Sequence, residues 1–262
     1  MNYRRRFVTA AVALGALLLA GTAQARLGDI VSSFQAPGIP HGLARSSSHL
    51  YVLSSSSGPS GYGMIFRCHP LTGSVYGSFV TASRRTGGGL YYSSDNALWY
   101  GEWQFDYVFK ANADTGSILY SWKAGHNPMG MTAFHTGDGG VGTTNLICTD
   151  GLASYLWYHN PTTGSVVGTL PIQEPTDGDL AYDWRNRWIW IADLPQWVYG
   201  YRTNGQKVRE FWMPVWRTAG LAYYGRYLWV GCTGNQTIYR VHCPNFTAVA
   251  PASVGKIKAL FK

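Results

Sequence analysis

The chain has 262 residues, with 21 Lys and Arg against 13 Asp and Glu, 32 glycines, 15% aromatic residues and 13% charged ones. So few charges beside so many aromatics and glycines exclude a long-helix or disordered chain and suit many short strands joined by tight turns. The positive excess is mild and dispersed apart from Arg84-Arg85 and the two termini, which argues against nucleic acid as a partner.

In chain order, Arg4 to Arg6 form a basic start, Phe7 to Gly21 an apolar stretch of secretory length, and Ala23-Gln24-Ala25 a small-x-small cleavage site. Residues 1–25 therefore read as a signal peptide cut near Ala25, which predicts a secreted or periplasmic product. The apolar stretch is too short for a transmembrane anchor. Cys68, Cys148, Cys232 and Cys243 follow without any C-x-x-C spacing, so a zinc or thioredoxin-like role is not indicated. They fit either a disulfide, in one of three pairings, or small buried hydrophobes.

A recurrence organises residues 26–246. L-T-G-S-V-Y-G-S-F at Leu71 to Phe79 returns as D-T-G-S-I-L-Y-S-W at Asp114 to Trp122, as T-T-G-S-V-V-G-T-L at Thr162 to Leu170, and more loosely at Thr203 to Phe211. Units of roughly 41–49 residues have the period of a propeller blade. Each opens on a small residue and an apolar one: Gly42-Leu43, Gly89-Leu90, Gly130-Met131, Asp179-Leu180 and Gly220-Leu221. Two apolar runs and the post-T-G strand follow, which makes four antiparallel strands per unit. The fifth unit lacks its fourth strand, and Gly28 to Phe34 supplies that pattern ahead of the first unit. The predicted fold is an all-β, five-bladed β-propeller whose N-terminal strand closes the last blade and leaves no open sheet edge. Residues 247–262 form a basic tail in which Val254 to Lys262 can make a short helix capped by Ser253.

The loops leading into the inner strands share one face with those between second and third strands. That face gathers His41, Arg85, Glu102, Trp103, Asn127, Asp193, Trp197 and Arg217 as ligand-binding candidates. Asp179, Asp177, Glu174 and His126 are the candidates for catalysis. Asp179 stands where four other units place glycine, and a carboxylate near the axis needs a cation, a basic neighbour such as Arg217, or several hydrogen-bond donors. No cofactor is expected; Ca2+ held with help from Asp177 and Asn127 is the alternative. No G-x-S-x-G occurs. Among the eleven tryptophans, Trp103, Trp197, Trp212 and Trp216 fall in loops where indole faces can meet a sugar.

The units I-P-H-G-L-A, from Ile39, and A-G-L-A-Y, from Ala219, resemble those of secreted bacterial propeller proteins. Length, leader and fivefold count are similar to the glutaminyl cyclotransferases of the plant and bacterial type. Gly178-Asp179-Leu180 with Trp184 is similar to that family's acidic blade motif, whereas His41 in H-G-L stands where the family has the acid of E-G-L. The resemblance implies a five-bladed propeller without the family's general acid at that place. The expected function is thus an exported, monomeric, non-enzymatic propeller that binds a protein or glycan ligand through its loop face. The alternative is a cyclotransferase-like, lactonase-like or metal-dependent hydrolase acting at the channel mouth.

Overall fold

A computed structural model of the chain describes residues 25–55, 58, 61–83, 86–135, 144–151, 153–174 and 177–244. Residues 1–24 of the expected signal peptide, Arg84 and Arg85, and the expected tail helix lie outside the described residues. Twenty strands make five sheets of four. Blade 1 holds β2 (Pro40–Arg45), β3 (Leu50–Ser54), β4 (Met64–Cys68) and β5 (Val75–Val80). Blade 2 holds β6 (Thr86–Ser93), β7 (Ala97–Glu102), β8 (Tyr107–Asn112) and β9 (Ile118–Lys123). Blade 3 holds β10 (Pro128–His135), β11 (Thr144–Asp150), β12 (Tyr155–His159) and β13 (Val166–Pro171). Blade 4 holds β14 (Leu180–Asp183), β15 (Trp188–Asp193), β16 (Trp197–Arg202) and β17 (Lys207–Trp212). Blade 5 holds β18 (Thr218–Tyr224), β19 (Tyr227–Cys232) and β20 (Thr237–His242), and its outer strand is β1 (Ile30–Gln35) from the start of the chain.

The closure is antiparallel, with Ser32 opposite Arg240, Ser33 opposite Tyr239 and Phe34 opposite Ile238. Burial follows position in the blade. The second strands β3 and β7 are buried along their whole length, because neighbouring blades cover both of their faces, and so they read as unbroken apolar runs. The outer strands β1 and β5 are largely exposed, with every second residue more covered than its neighbours. The apolar core is accordingly split into five wedges, one at each seam between blades.

The T-G-S recurrence is a turn that docks one blade on the one before it. Gly73 adopts φ +75°, and a Cβ there would run into the Phe34 ring of the preceding blade. Its N–H donates to His69 O at 2.9 Å, while Thr72 Oγ1 and Ser74 Oγ pair at 2.9 Å across the turn. The same turn seats Phe79 in the next blade and Trp122 in the third. In those blades Asn112 and Asn160 accept the turn N–H groups with their side-chain oxygens. Gly28 does for Phe211 what Gly73 does for Phe34, so the N-terminal segment closes the ring with the docking contact used elsewhere.

All four cysteines are free and buried within the seam wedges, Cys68 against blade 5, Cys148 against blade 2, and Cys232 with Cys243 between blades 4 and 5. Burial raises the Cys68 and Cys232 thiols to about 12. Of the two possibilities left by the sequence, small buried hydrophobes describe them.

Candidate functional site

The five inner strands approach the axis so closely that a Cβ on Gly42, Gly89, Gly130 or Gly220 would strike backbone or side-chain atoms of the neighbouring blade. Asp179 occupies the equivalent place in blade 4, and its side chain takes up the centre. It is completely buried. Oδ2 accepts the N–H groups of Leu43 at 2.9 Å and Leu221 at 3.1 Å; Oδ1 accepts those of Leu90 at 3.3 Å, Met131 at 3.2 Å and Leu180 at 2.8 Å. One carboxylate thus holds one amide from every blade. Burial pushes its pKa up, and the backbone N–H donors pull against that shift. Of the partners considered from the sequence, several donors are what the axial acid has.

Above this pin, on the loop face, lies a cavity of about 360 Å³ walled by His41, Ser55, Trp103, Asp177, Leu194 and Arg217 among others. His41 Nδ1 lies 3.1 Å from Ile39 O and 2.9 Å from Ser55 Oγ. Burial lowers the His41 pKa, and Arg217 lowers it further, so the imidazole is neutral at pH 7. Arg217 is an exposed non-glycine residue at φ +64°, held there by its N–H on Pro195 O at 2.6 Å and by Thr233 N on its carbonyl at 2.9 Å. The cavity therefore presents a cation, a neutral imidazole and a carboxylate from three blades, with Asp177 Oδ1 buried and unpartnered.

Trp103, on the cavity wall, is 41% exposed. Trp216, next in sequence to the wall residue Arg217, is 59% exposed and Phe105, two residues after Trp103, 61%; Trp212, also exposed, ends the outer strand β17. Glu102 is buried: Oε1 accepts Gln104 N at 2.8 Å and Oε2 accepts Phe105 N at 2.7 Å, which fixes the turn that carries Trp103 and Phe105. Trp212 is steadied by its indole N–H on Gln196 Oε1 at 3.0 Å. Trp197 is half-buried and stacked on Tyr199 at 6.2 Å.

Glu102, His126, Asn127, Glu174, Asp193 and Trp197 are not on the cavity walls. Glu174 pairs with Lys207 on β17 at 3.3 Å. Asn127 is half-buried, with its Oδ1 covered and unpartnered. His126 is in the seam between blades 2 and 3, stacked at 4.7 Å on Trp157, with its Nε2 2.7 Å from His159 Nε2. His159 Nδ1 donates to Gly164 O at 3.0 Å, so its Nε2 is the acceptor and His126 Nε2 the donor. Burial and the neighbouring His159 lower His126 to about 3. Asp193 closes β15 beside the cavity; burial, then Asp177 and Glu174, raise it to about 6. Arg85 lies outside the described residues. Among them, no group of three or more His, Cys, Asp or Glu is placed to hold a metal ion, and no helix is long and apolar enough to cross a membrane.

Sequence reasoning missed Ser55, Phe105 and Leu194, which bring no motif with them. For Asp179 the carboxylate in a column of glycines was the signal, and several donors were one of the three ways of holding it that the sequence left open; that all five blades supply one was not legible.

These blades define a five-bladed β-propeller with a blind loop-face cavity. Among solved structures the chain is similar to a glutaminyl cyclase of Myxococcus xanthus, at 14% identity and TM-score 0.63, over 83% of this chain and 96% of that one. It is also similar to the β-propeller domain of Cps50 (Swd1) from Myceliophteria thermophila, at 10% identity and TM-score 0.52, over 83% of this chain and the whole of that one. At these identities the likeness is one of fold. No protein-family model matches the chain, and no curated protein matches it in sequence.

Proposed function

We infer that the chain is an exported binding protein that takes a glycan on its loop face, the end of the glycan entering the cavity above Asp179. Export rests on the leader from Arg4 to Ala25. The observation that carries the reading is the small loop-face cavity with the exposed Trp103 on its wall, and with exposed Phe105 and Trp216 close in sequence to the wall residues Trp103 and Arg217. Large aromatic faces left in water around a concavity mark a contact surface, and rigid indoles stack on sugar rings at little cost in side-chain entropy. His41, Asp177 and Arg217 supply the donors and acceptors that orient hydroxyl groups. Screening the protein against an immobilised glycan library tests this. Retention of a defined set, lost in Trp103→Ala and Trp216→Ala, supports the reading. Retention of no glycan overturns it, and a protein captured through the same two tryptophans moves the site to a protein ligand.

A neutral His41 on the cavity wall, with Asp193, raised to about 6, next in sequence to the wall residue Leu194, favours a second reading, acid–base turnover of a ligand in this cavity. Turnover of glutaminyl peptides or lactones, lost in both His41→Gln and Asp193→Asn, is its signature; an inert wild-type protein removes it.

A further inference from the structure

The Asp179 carboxylate divides the axis, and a second cavity of about 320 Å³ opens on the opposite face, lined where the inner strands end. Its volume is at the low end of the roughly 300–1,000 Å³ of small-molecule sites. Tyr92, Tyr182, Tyr223 and Tyr224 wall it together with Trp184, which is 62% exposed at the lip. The charge on its wall is Arg45, whose Nη1 donates to His49 O at 2.9 Å and Nη2 to Ser47 O at 3.1 Å, beneath Tyr224 at 4.8 Å and Trp229 at 5.5 Å. These partners are neutral carbonyls and rings, and its Nε is buried with none. Arg185 lies over the Trp184 ring at 5.0 Å, and Arg226 is exposed on the neighbouring hairpin. In the β14–β15 and β18–β19 turns the acid is Asp183, fully buried and accepting from Arg185 N, Asn186 N and Asn186 Nδ2, while the exposed Asp95 of the β6–β7 turn pairs with Lys110 at 2.6 Å.

An aromatic-walled cavity whose cations face neutral partners fits a ligand that brings flat rings or sugar faces and its own negative charge. We propose that this opposite mouth is a second binding site, for an acidic saccharide, in which Trp184 stacks on a sugar ring and Arg45 and Arg185 meet the carboxylates. The loop-face cavity has Asp177 as well as Arg217 on its wall, so the two mouths differ in charge. The site is independent of the glycan reading of the loop face.

The test is a fluorescence titration of the full chain with an oligogalacturonate and with its carboxyl-reduced, neutral counterpart, at low and at high salt. Saturable binding of the acidic oligomer, weakened by salt, is expected, with no saturation by the neutral one. Trp184→Ala weakens binding at least tenfold and Arg185→Gln several-fold. Trp184 is exposed, so its removal leaves the fold intact, which circular dichroism verifies. Trp103→Ala, on the other face, leaves the titration unchanged. Equal binding of the neutral oligomer, a Trp184→Ala protein that titrates like wild type, loss of binding in Trp103→Ala, or no binding of the acidic oligomer each overturns the proposal.

Discussion

Replacing Asp179 by asparagine keeps its shape and removes its charge. An amide has one acceptor oxygen, so its NH2 must face either the two N–H groups that now meet Oδ2 or the three that meet Oδ1. The better orientation leaves two buried N–H groups unpaired, at about 1–3 kcal/mol each, or roughly 2–6 kcal/mol. The other three bonds also weaken, because they lose the charge on their acceptor. Relief from burying a carboxylate offsets part of this, since burial already pushes the acid's pKa up. Asp179→Leu leaves all five amides unpaired, roughly 5–15 kcal/mol, as much as a typical domain's whole stability of about 5–15 kcal/mol. Urea unfolding followed by tryptophan fluorescence reads both. Asp179→Asn is expected to unfold at lower urea with an unchanged slope, and Asp179→Leu not to fold. An Asp179→Asn protein within about 0.5 kcal/mol of wild type, the range of ordinary surface changes, refutes the reasoning.

His126 is held to about 3, below its ordinary 6.5, so between those values the unfolded chain binds a proton that the folded one refuses. Stability contributed by the neutral pair falls as pH drops from 6.5 towards 3, by at most about 1.4 kcal/mol per pH unit. Asp193 acts in the opposite sense between about 6 and 3.8, so the comparison is of wild type with His126→Gln, and a shallower decline in the variant is expected. Parallel decline of both proteins below pH 6.5 argues against the His126–His159 contact. In native protein the four cysteines are expected to resist a thiol reagent and all to react after denaturation; rapid labelling of the folded chain contradicts their burial. Phe34→Ala strips the ring that Gly73 receives at the closing blade and is expected to cost about 3 kcal/mol or somewhat less, as Phe34 is half-buried. A change under about 0.5 kcal/mol contradicts a closure held by that docking.

Much of the fold was legible because one local signal repeats. The T-G turns and the four apolar runs fix the blade, and the absent fourth strand after His242, matched by Ile30 to Phe34, fixes closure. The site was less legible because its geometry depends on registers between blades. Asp179 stood out against four glycines, yet the five amides that surround it span Leu43 to Leu221. His126 met a partner 33 residues away only because the lead-in segment crosses the seam to the third strand of blade 3. Glu102 reads as a ligand carboxylate in sequence, but it closes its own turn, a task that depends on where that chain reverses. The opposite mouth drew no attention because its tyrosines belong to inner strands, where blade packing explains aromatic residues without reference to a ligand.

Amide hydrogen exchange tests most directly the claim that a single axial carboxylate holds all five blades and separates the two mouths. The N–H groups of Leu43, Leu90, Met131, Leu180 and Leu221 are predicted to be among the slowest to exchange in wild type and to lose protection together in Asp179→Asn. Loss confined to Leu180, with the other four still protected, would contradict it.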